Sequence, residues 1–338
     1  MAKMRAWRTG SSPREFELVD APIPSPAPDE LLISVIACGI CRTDLHVIDQ
    51  EIPVHRDRVI PGHQVVGQVV QVGSDVRDVT TGTLVGVAWL HQTCGACEWC
   101  RSGAENLCPN SRYTGWDVDG GFAEFVTAPA AYVYRLADDA EPAASAPLLC
   151  AGIIGYRALS RANLPPGGRL GLYGFGSSAH LVAQIARAGG AKLFVMSRGE
   201  QNRALAEELG ADFVGDATAA PPEPLDSAIV FAPAGGLVPV ALNATRSGGT
   251  VVLAGIEMTD IPSMSYQASL FRERDLRTVT ANTRSDGRRL LDLAANLTLR
   301  PKVTTVAFDA LGDAIDAMRN GRTRGSMVAL LGDRSEAT

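Results

Sequence analysis

The chain has 338 residues, 46% hydrophobic and only 20% charged, which supplies apolar side chain for more than one core and excludes intrinsic disorder. Its 31 basic and 37 acidic residues leave a formal net charge of −6, which excludes a nucleic-acid binder that relies on phosphate contacts. The charge-free run over residues 227–245 is interrupted by Pro233, Gly235, Gly236 and Pro239, so no membrane span is expected there.

Residues 1–8 carry charge without an apolar run, unlike a secretory signal. Seven cysteines in such a chain point to free thiols and metal rather than a disulfide framework, and to the cytoplasm.

Up to about Cys150 the pattern is strand-like. Residues 31–36 read as a buried strand, and residues 63–73 alternate and break at glycines as barrel strands do. Residues 83–87, 121–126 and 132–136 continue the pattern, while Pro22, Pro24, Pro26 and Pro28 make an extended connector. Beyond Cys150 an apolar strand over 168–173 ends in Gly174-Phe175-Gly176, and Leu181, Val182, Ile185 and Ala186 then recur at helical spacing. A strand over 192–197, a helix over 201–209 closed by Gly210, and strands over 228–231 and 250–254 follow. Strands alternating with helices imply a parallel, doubly wound sheet. The organisation expected is an α/β chain: a β-rich domain over 1–150, a dinucleotide-binding domain over 151–284, and a return to the first domain over 285–338.

Cys94, Cys97 and Cys100 are separated by two-residue gaps, and a gap of seven residues leads to Cys108. Short gaps let consecutive thiolates face one point, and the longer one lets the fourth close a tetrahedron. Gly95 and Gly103 permit the turns. Four thiolates leave no open position, so this spacing predicts a structural zinc.

The other cysteines lie in Cys38-Gly39-Ile40-Cys41-Arg42-Thr43-Asp44-Leu45-His46 and in Leu148-Leu149-Cys150, and a further histidine lies in Pro61-Gly62-His63-Gln64. Taken singly, each reads as a packed core residue. Taken together with the four-cysteine loop and the glycine-rich turn, they make the chain resemble the zinc-dependent medium-chain alcohol dehydrogenases over nearly its whole length. The resemblance implies a GroES-like catalytic domain beside a Rossmann domain. It also implies a catalytic zinc held by Cys41, His63 and Cys150, whose open fourth position takes an alcohol oxygen and lowers its pKa. Cys38 has no ligand role in that family.

By the same resemblance Thr43 removes the alcohol proton, and His46 is the relay end near solvent. Asp44 orients His63, Arg42 faces the cofactor pyrophosphate, and Trp89 and Trp116 line the substrate pocket. The plainer alternatives are a helix cap for Thr43, a surface histidine, a first-turn carboxylate, a solvated arginine and core tryptophans. Gln64 stands where the family usually has Glu, which puts any ligand exchange through that carboxylate in doubt and leaves the zinc more electrophilic.

Gly174-Phe175-Gly176-Ser177-Ser178-Ala179 lies between an apolar strand and a helix, the setting that makes a dinucleotide fingerprint specific. Gly174 allows the tight turn, Gly176 lets pyrophosphate approach, and Ala179 lets helix and strand pack closely. At the end of the second strand, where an NAD enzyme carries an acid for the ribose 2′-hydroxyl, stand Ser197 and Arg198. Ser and Arg can bind a 2′-phosphate, with Arg203 able to swing in, so NADP(H) is favoured over NAD(H). Arg324 lies in a stretch shifted from the family's cofactor arginine and is given no role.

The expected activity is reversible oxidation of a primary or secondary alcohol to an aldehyde or ketone, with two zinc ions per chain. The alternatives are a zinc polyol or cinnamyl-type dehydrogenase, or a zinc-binding redox sensor on the same fold. The resemblance also implies a homo-oligomer, dimer or tetramer, and no nucleic-acid or membrane partner.

Overall fold

The computed structural model describes residues 2–332. They divide into two compact units. The first takes the chain up to Cys150, Ala281–Arg288 and the described residues from Val303; the second takes Ala151–Thr280 and Arg289–Lys302.

The first unit opens with an antiparallel hairpin, β1 (Lys3–Thr9) and β2 (Phe16–Pro22), in which Trp7 stacks on Phe16 at 5.0 Å. The 11-residue β3 (Glu30–Ile40) is the spine of a seven-stranded sheet and lies against β4 (Val65–Val72), with β5 (Leu84–Val87) beyond it. A short ladder, β6 (Leu90–Gln92) with β7 (Arg112–Tyr113), flanks the cysteine-rich loop. β8 (Phe125–Pro129) pairs with β3, and β9 (Val133–Arg135) closes the path on β5. The strand expected over 121–126 begins only at Phe125. Gly120, Gly121 and Phe122 instead donate to the carbonyls of Ile60, Gly62 and Pro61, bracing the turn that carries His63.

The second unit is a parallel sheet of β10 (Arg169–Tyr173), β11 (Lys192–Met196), β12 (Phe213–Gly215), β13 (Leu225–Val230), β14 (Thr245–Leu253) and β15 (Asp275–Thr278). Its order, β12-β11-β10-β13-β14-β15, is that of a Rossmann sheet with a switch point beside β10. The central strands are buried on both faces, which is why they read as continuous apolar runs instead of alternating.

β16 (Val303–Ala307) and β17 (Ser326–Leu330) return to the first unit, β17 pairing antiparallel with β3. The boundary differs from the expected single return at residue 285. Residues 289–302 stay with the nucleotide unit, held by the Arg300 N–H on Gln184, the Lys302 N–H on His180, and Lys302 paired with Glu208. No single helix among the described residues is long and apolar enough to cross a membrane.

Candidate metal centres and nucleotide site

Cys41 sits where β3 ends and caps the helix Arg42–Ile48, its Sγ accepting from the Thr43 N–H at 3.3 Å. His63 comes from the turn before β4, and Cys150 follows the short helix Ala146–Leu149. The three ligand atoms lie within 4.8 Å of one another, with Cys41 Sγ 3.2 Å from His63 Nε2. Zinc bonds of about 2.3 Å to sulfur and about 2.0 Å to nitrogen give a tetrahedral S···N edge of about 3.5 Å, so the cluster fits that ion.

Asp44 organises these ligands. Oδ1 accepts from His63 Nδ1 at 3.0 Å and from the Gly62 N–H at 3.0 Å, while Oδ2 accepts from the Cys41 N–H at 2.9 Å. Burial alone would push the His63 ring down, but the facing charges of Asp44 and Cys41 hold it well above its ordinary value. The bond from Cys150, aided by His63, holds Cys41 well below the usual thiol range. Cys150 is held well above it, by that bond and by burial. One sulfur is thus disposed toward the thiolate form that a cation needs, and a bound cation would draw the proton from the second.

Thr43 is buried in the first turn beside Asp44, and His46 follows one turn later. His46 departs from the expected relay end near solvent. Its side chain is only 7% exposed, and Nδ1 lies 2.5 Å from Oε2 of Glu51, a residue that nothing in the spacing singled out. Arg42 is exposed, Cys38 is fully buried, and Gln64 is buried against Gly39.

Trp89 and Trp116 are brought together with their rings 6.0 Å apart, and Trp89 lies 6.3 Å from the His63 ring. Tyr113, paired with Leu90 in the β6–β7 ladder, stacks on Trp89 at 4.2 Å, and His55 stacks on Trp116 at 3.8 Å. Sequence reasoning missed both partners, because neither periodicity nor a motif marks a residue that joins a ring stack from a distant segment.

The second cluster is Cys94, Cys97, Cys100 and Cys108, whose sulfurs all lie within 4.8 Å of one another. Individual separations are 4.0 Å for Cys94–Cys100, 3.5 Å for Cys97–Cys100 and 3.6 Å for Cys94–Cys108. A tetrahedron with bonds of about 2.3 Å has S···S edges of about 3.8 Å, whereas a disulfide would need about 2.05 Å. Gly95 and Gly103 take φ of +68° and +78°, which a side chain rarely tolerates. Backbone N–H groups of Ala96 and Cys97 bring the Cys94 thiol down to about 6.

In the second unit Gly174 has φ +88°, and a Cβ there would lie 2.9 Å from the Ala232 nitrogen. Gly176 faces open space and begins the helix Ser177–Ala188, whose first turn no side chain caps. A helix N-terminus that follows a glycine turn at the end of a strand is the setting a pyrophosphate site needs. Ala179 is fully buried. Ser197 is buried just past β11, and Arg198 is exposed. Arg203 differs from the expectation that it could swing in. It donates to the carbonyls of Ser197 and Arg198, each at 2.9 Å, and to Asp216 at 2.8 Å, which ties it beneath the turn.

The chain matches the alcohol dehydrogenase GroES-like domain over residues 27–138 and the zinc-binding dehydrogenase domain over residues 179–296. It is similar to "Probable alcohol dehydrogenase AdhA" of Mycobacterium tuberculosis (strain CDC 1551 / Oshkosh), 53% identical over 342 residues that cover 98% of each chain. Among solved structures it resembles a cinnamyl alcohol dehydrogenase, SbCAD4, from Sorghum bicolor (TM-score 0.89, 28% identity, all of both chains). It also resembles an acetophenone reductase from Geotrichum candidum in complex with NAD (TM-score 0.88, 25% identity, 99% of this chain and 98% of that one). Two domain types matched in order, and a relative alike along nearly the whole chain, show that this protein belongs to the zinc-dependent medium-chain alcohol dehydrogenases and is an NAD(P)-dependent alcohol oxidoreductase acting on small-molecule alcohols and aldehydes.

Proposed function

We propose that the protein interconverts an apolar primary or secondary alcohol and its aldehyde or ketone, with NADP(H) preferred and two zinc ions per chain. The observation that carries this reading is the convergence of Cys41, His63 and Cys150, from three separated segments, on a point that fits one zinc. Zinc bound there supplies Lewis acidity toward an alcohol oxygen. Cys94, Cys97, Cys100 and Cys108 hold the second, structural zinc.

The chain's own residues do the rest. Asp44 keeps the His63 ring turned with Nε2 toward Cys41. Thr43 accepts the alcohol proton at Oγ while its own hydroxyl proton moves on toward His46, which lies one helical turn away on the same face. The Trp89–Tyr113–Trp116 stack forms an apolar wall beside His63, suited to an aliphatic or aromatic alcohol. Gly174, Gly176 and Ala179 suit the helix N-terminus to pyrophosphate, and Ser197 and Arg198 meet a ribose 2′-phosphate. A pyrophosphate contact for Arg42, whose side chain is exposed, rests on the family likeness alone.

Free thiols fit a reducing compartment, supporting a cytoplasmic enzyme. A homo-oligomer, dimer or tetramer, rests on the family likeness and is read by size-exclusion with light scattering. Initial rates over a panel of aliphatic, benzylic, allylic and polyol substrates, with each nicotinamide cofactor, test the whole reading. Turnover of apolar alcohols that is lost on zinc removal is expected, and preference for a polyol would overturn the apolar assignment.

A further inference from the structure

Glu51 follows the helix that carries Thr43 and His46, and it touches His46 twice. Its Oε2 lies 2.5 Å from the ring Nδ1, and its backbone N–H donates to the His46 carbonyl at 2.9 Å. The His46 side chain is 7% exposed and that of Glu51 is 50% exposed, so the carboxylate bridges an enclosed ring and water. Of the other charged groups on and against this helix, Arg42 at its first position is exposed and the rest pair elsewhere. Asp44 faces His63, while Arg14 and Arg319 converge on Asp49, Arg319 also pairing with Asp316.

We propose that Glu51 is a positioning residue that makes His46 a base at Nε2. The inference rests on the reading of Thr43 and His46 as the proton relay. A carboxylate only accepts, so the imidazole proton stands on Nδ1 and the lone pair is left on Nε2. In oxidation the alcohol O–H bond breaks and Thr43 passes a proton on, which ends on Nε2. The ring then carries one positive charge against the one negative charge of Glu51. After the product leaves, the Nε2 proton goes to water and the dyad returns to its starting form. In reduction the same ring supplies the proton.

Glu51→Ala, Glu51→Gln, Glu51→Asp, His46→Ala and Thr43→Ala test this by steady-state oxidation and reduction with saturating cofactor. Glu51→Ala is expected to lower kcat in both directions by about tenfold or more, short of the ~10²–10⁴-fold scale of a direct proton-transfer group. KM for the alcohol should stay unchanged. Sodium formate should restore kcat of Glu51→Ala in a concentration-dependent way, and Glu51→Asp should retain more of the wild-type rate than Glu51→Gln. A wild-type rate in Glu51→Ala beside slow His46→Ala and Thr43→Ala would overturn the role of Glu51 and leave the relay standing. A slow Glu51→Ala that neither formate nor the aspartate variant improves, with a lowered melting midpoint, would reduce Glu51 to a structural clamp. Wild-type rates in His46→Ala and Thr43→Ala would remove the relay itself, and this inference with it.

Discussion

Asp44 and His63 are joined at 3.0 Å, both side chains almost wholly buried, and the same carboxylate receives the N–H groups of Cys41 and Gly62. One side chain therefore ties together the end of β3, the helix it caps and the turn before β4. Asp44→Asn leaves the shape and removes an acceptor, because an amide nitrogen turned toward Nδ1 meets a second donor. Zinc affinity or activity should fall by about 10–100-fold, the scale for residues that orient a metal ligand. Titrating apo-protein with zinc against a competing chelator reads the change, and unaltered affinity and rate would mean the ring is fixed by packing alone.

Elemental analysis of carefully purified protein should give two zinc ions per chain. Cys108→Ser opens a closed four-sulfur site and should lower thermal stability, because metal binding there is part of folding. His63→Ala should keep the fold, lose one zinc and lose turnover. A protein that holds a single zinc, kept in His63→Ala and lost in Cys108→Ser, would leave the Cys41 cluster without a metal.

The parts legible in the sequence were those whose physics is local or combinatorial. Two-residue cysteine gaps and a glycine-rich turn between strand and helix announce their geometry, and β10 and β11 read directly from short apolar runs. The β1–β2 hairpin was missed because its burial is uneven and no tight-turn pair joins its strands. Glu51, Tyr113 and the hold on Arg203 were missed for a different reason. Each depends on which side chains meet after folding, and Asp216, which fixes Arg203, lies just past β12, thirteen residues away. The same holds for residues 289–302, whose placement is decided by contacts with Gln184, His180 and Glu208.

A pH-dependent stability difference is expected at the foot of the nucleotide sheet. Asp226 accepts from the Arg169 backbone and guanidinium at 2.9 Å and from Arg246 at 2.6 Å. The Arg169 bonds, against the cost of burial, hold its carboxyl well below the usual range near ~3.9. A depressed carboxylate contributes stability that is present above its unfolded pKa and lost as pH falls through the folded one. Asp226→Asn should thus cost about 1.5–3 kcal/mol at pH 7, the range for bonds to charged groups, with the gap to wild type closing below about pH 4. All four tryptophans precede Cys150, so denaturant midpoints are best followed by far-ultraviolet circular dichroism. A gap that persists unchanged at pH 3 would show that the substitution acts through packing.

The proposed preference for NADP(H) rests on Ser197 and Arg198. Ser197 lies just past β11, where an acid would hold the ribose diol, and Arg198 beside it is exposed. Arg203 is committed to Asp216 and two backbone carbonyls, so Arg198 is the guanidinium available to a 2′-phosphate. A charge-assisted contact of this kind contributes about 1.5–3 kcal/mol, or roughly ten- to a hundredfold in affinity. Arg198→Ala should lower kcat/KM for NADP(H) by that factor and leave NAD(H) nearly unchanged. Ser197→Asp should weaken NADP(H) by repulsion and improve NAD(H) by supplying the acceptor for the 2′-hydroxyl. Asp216→Asn, which loosens Arg203, should favour NADP(H) further. If Arg198 only stacks on the adenine, its removal lowers both cofactors alike. A wild-type enzyme that prefers NAD(H) tenfold would overturn the reading of Ser197 and Arg198, and it would leave the metal clusters of the first unit untouched.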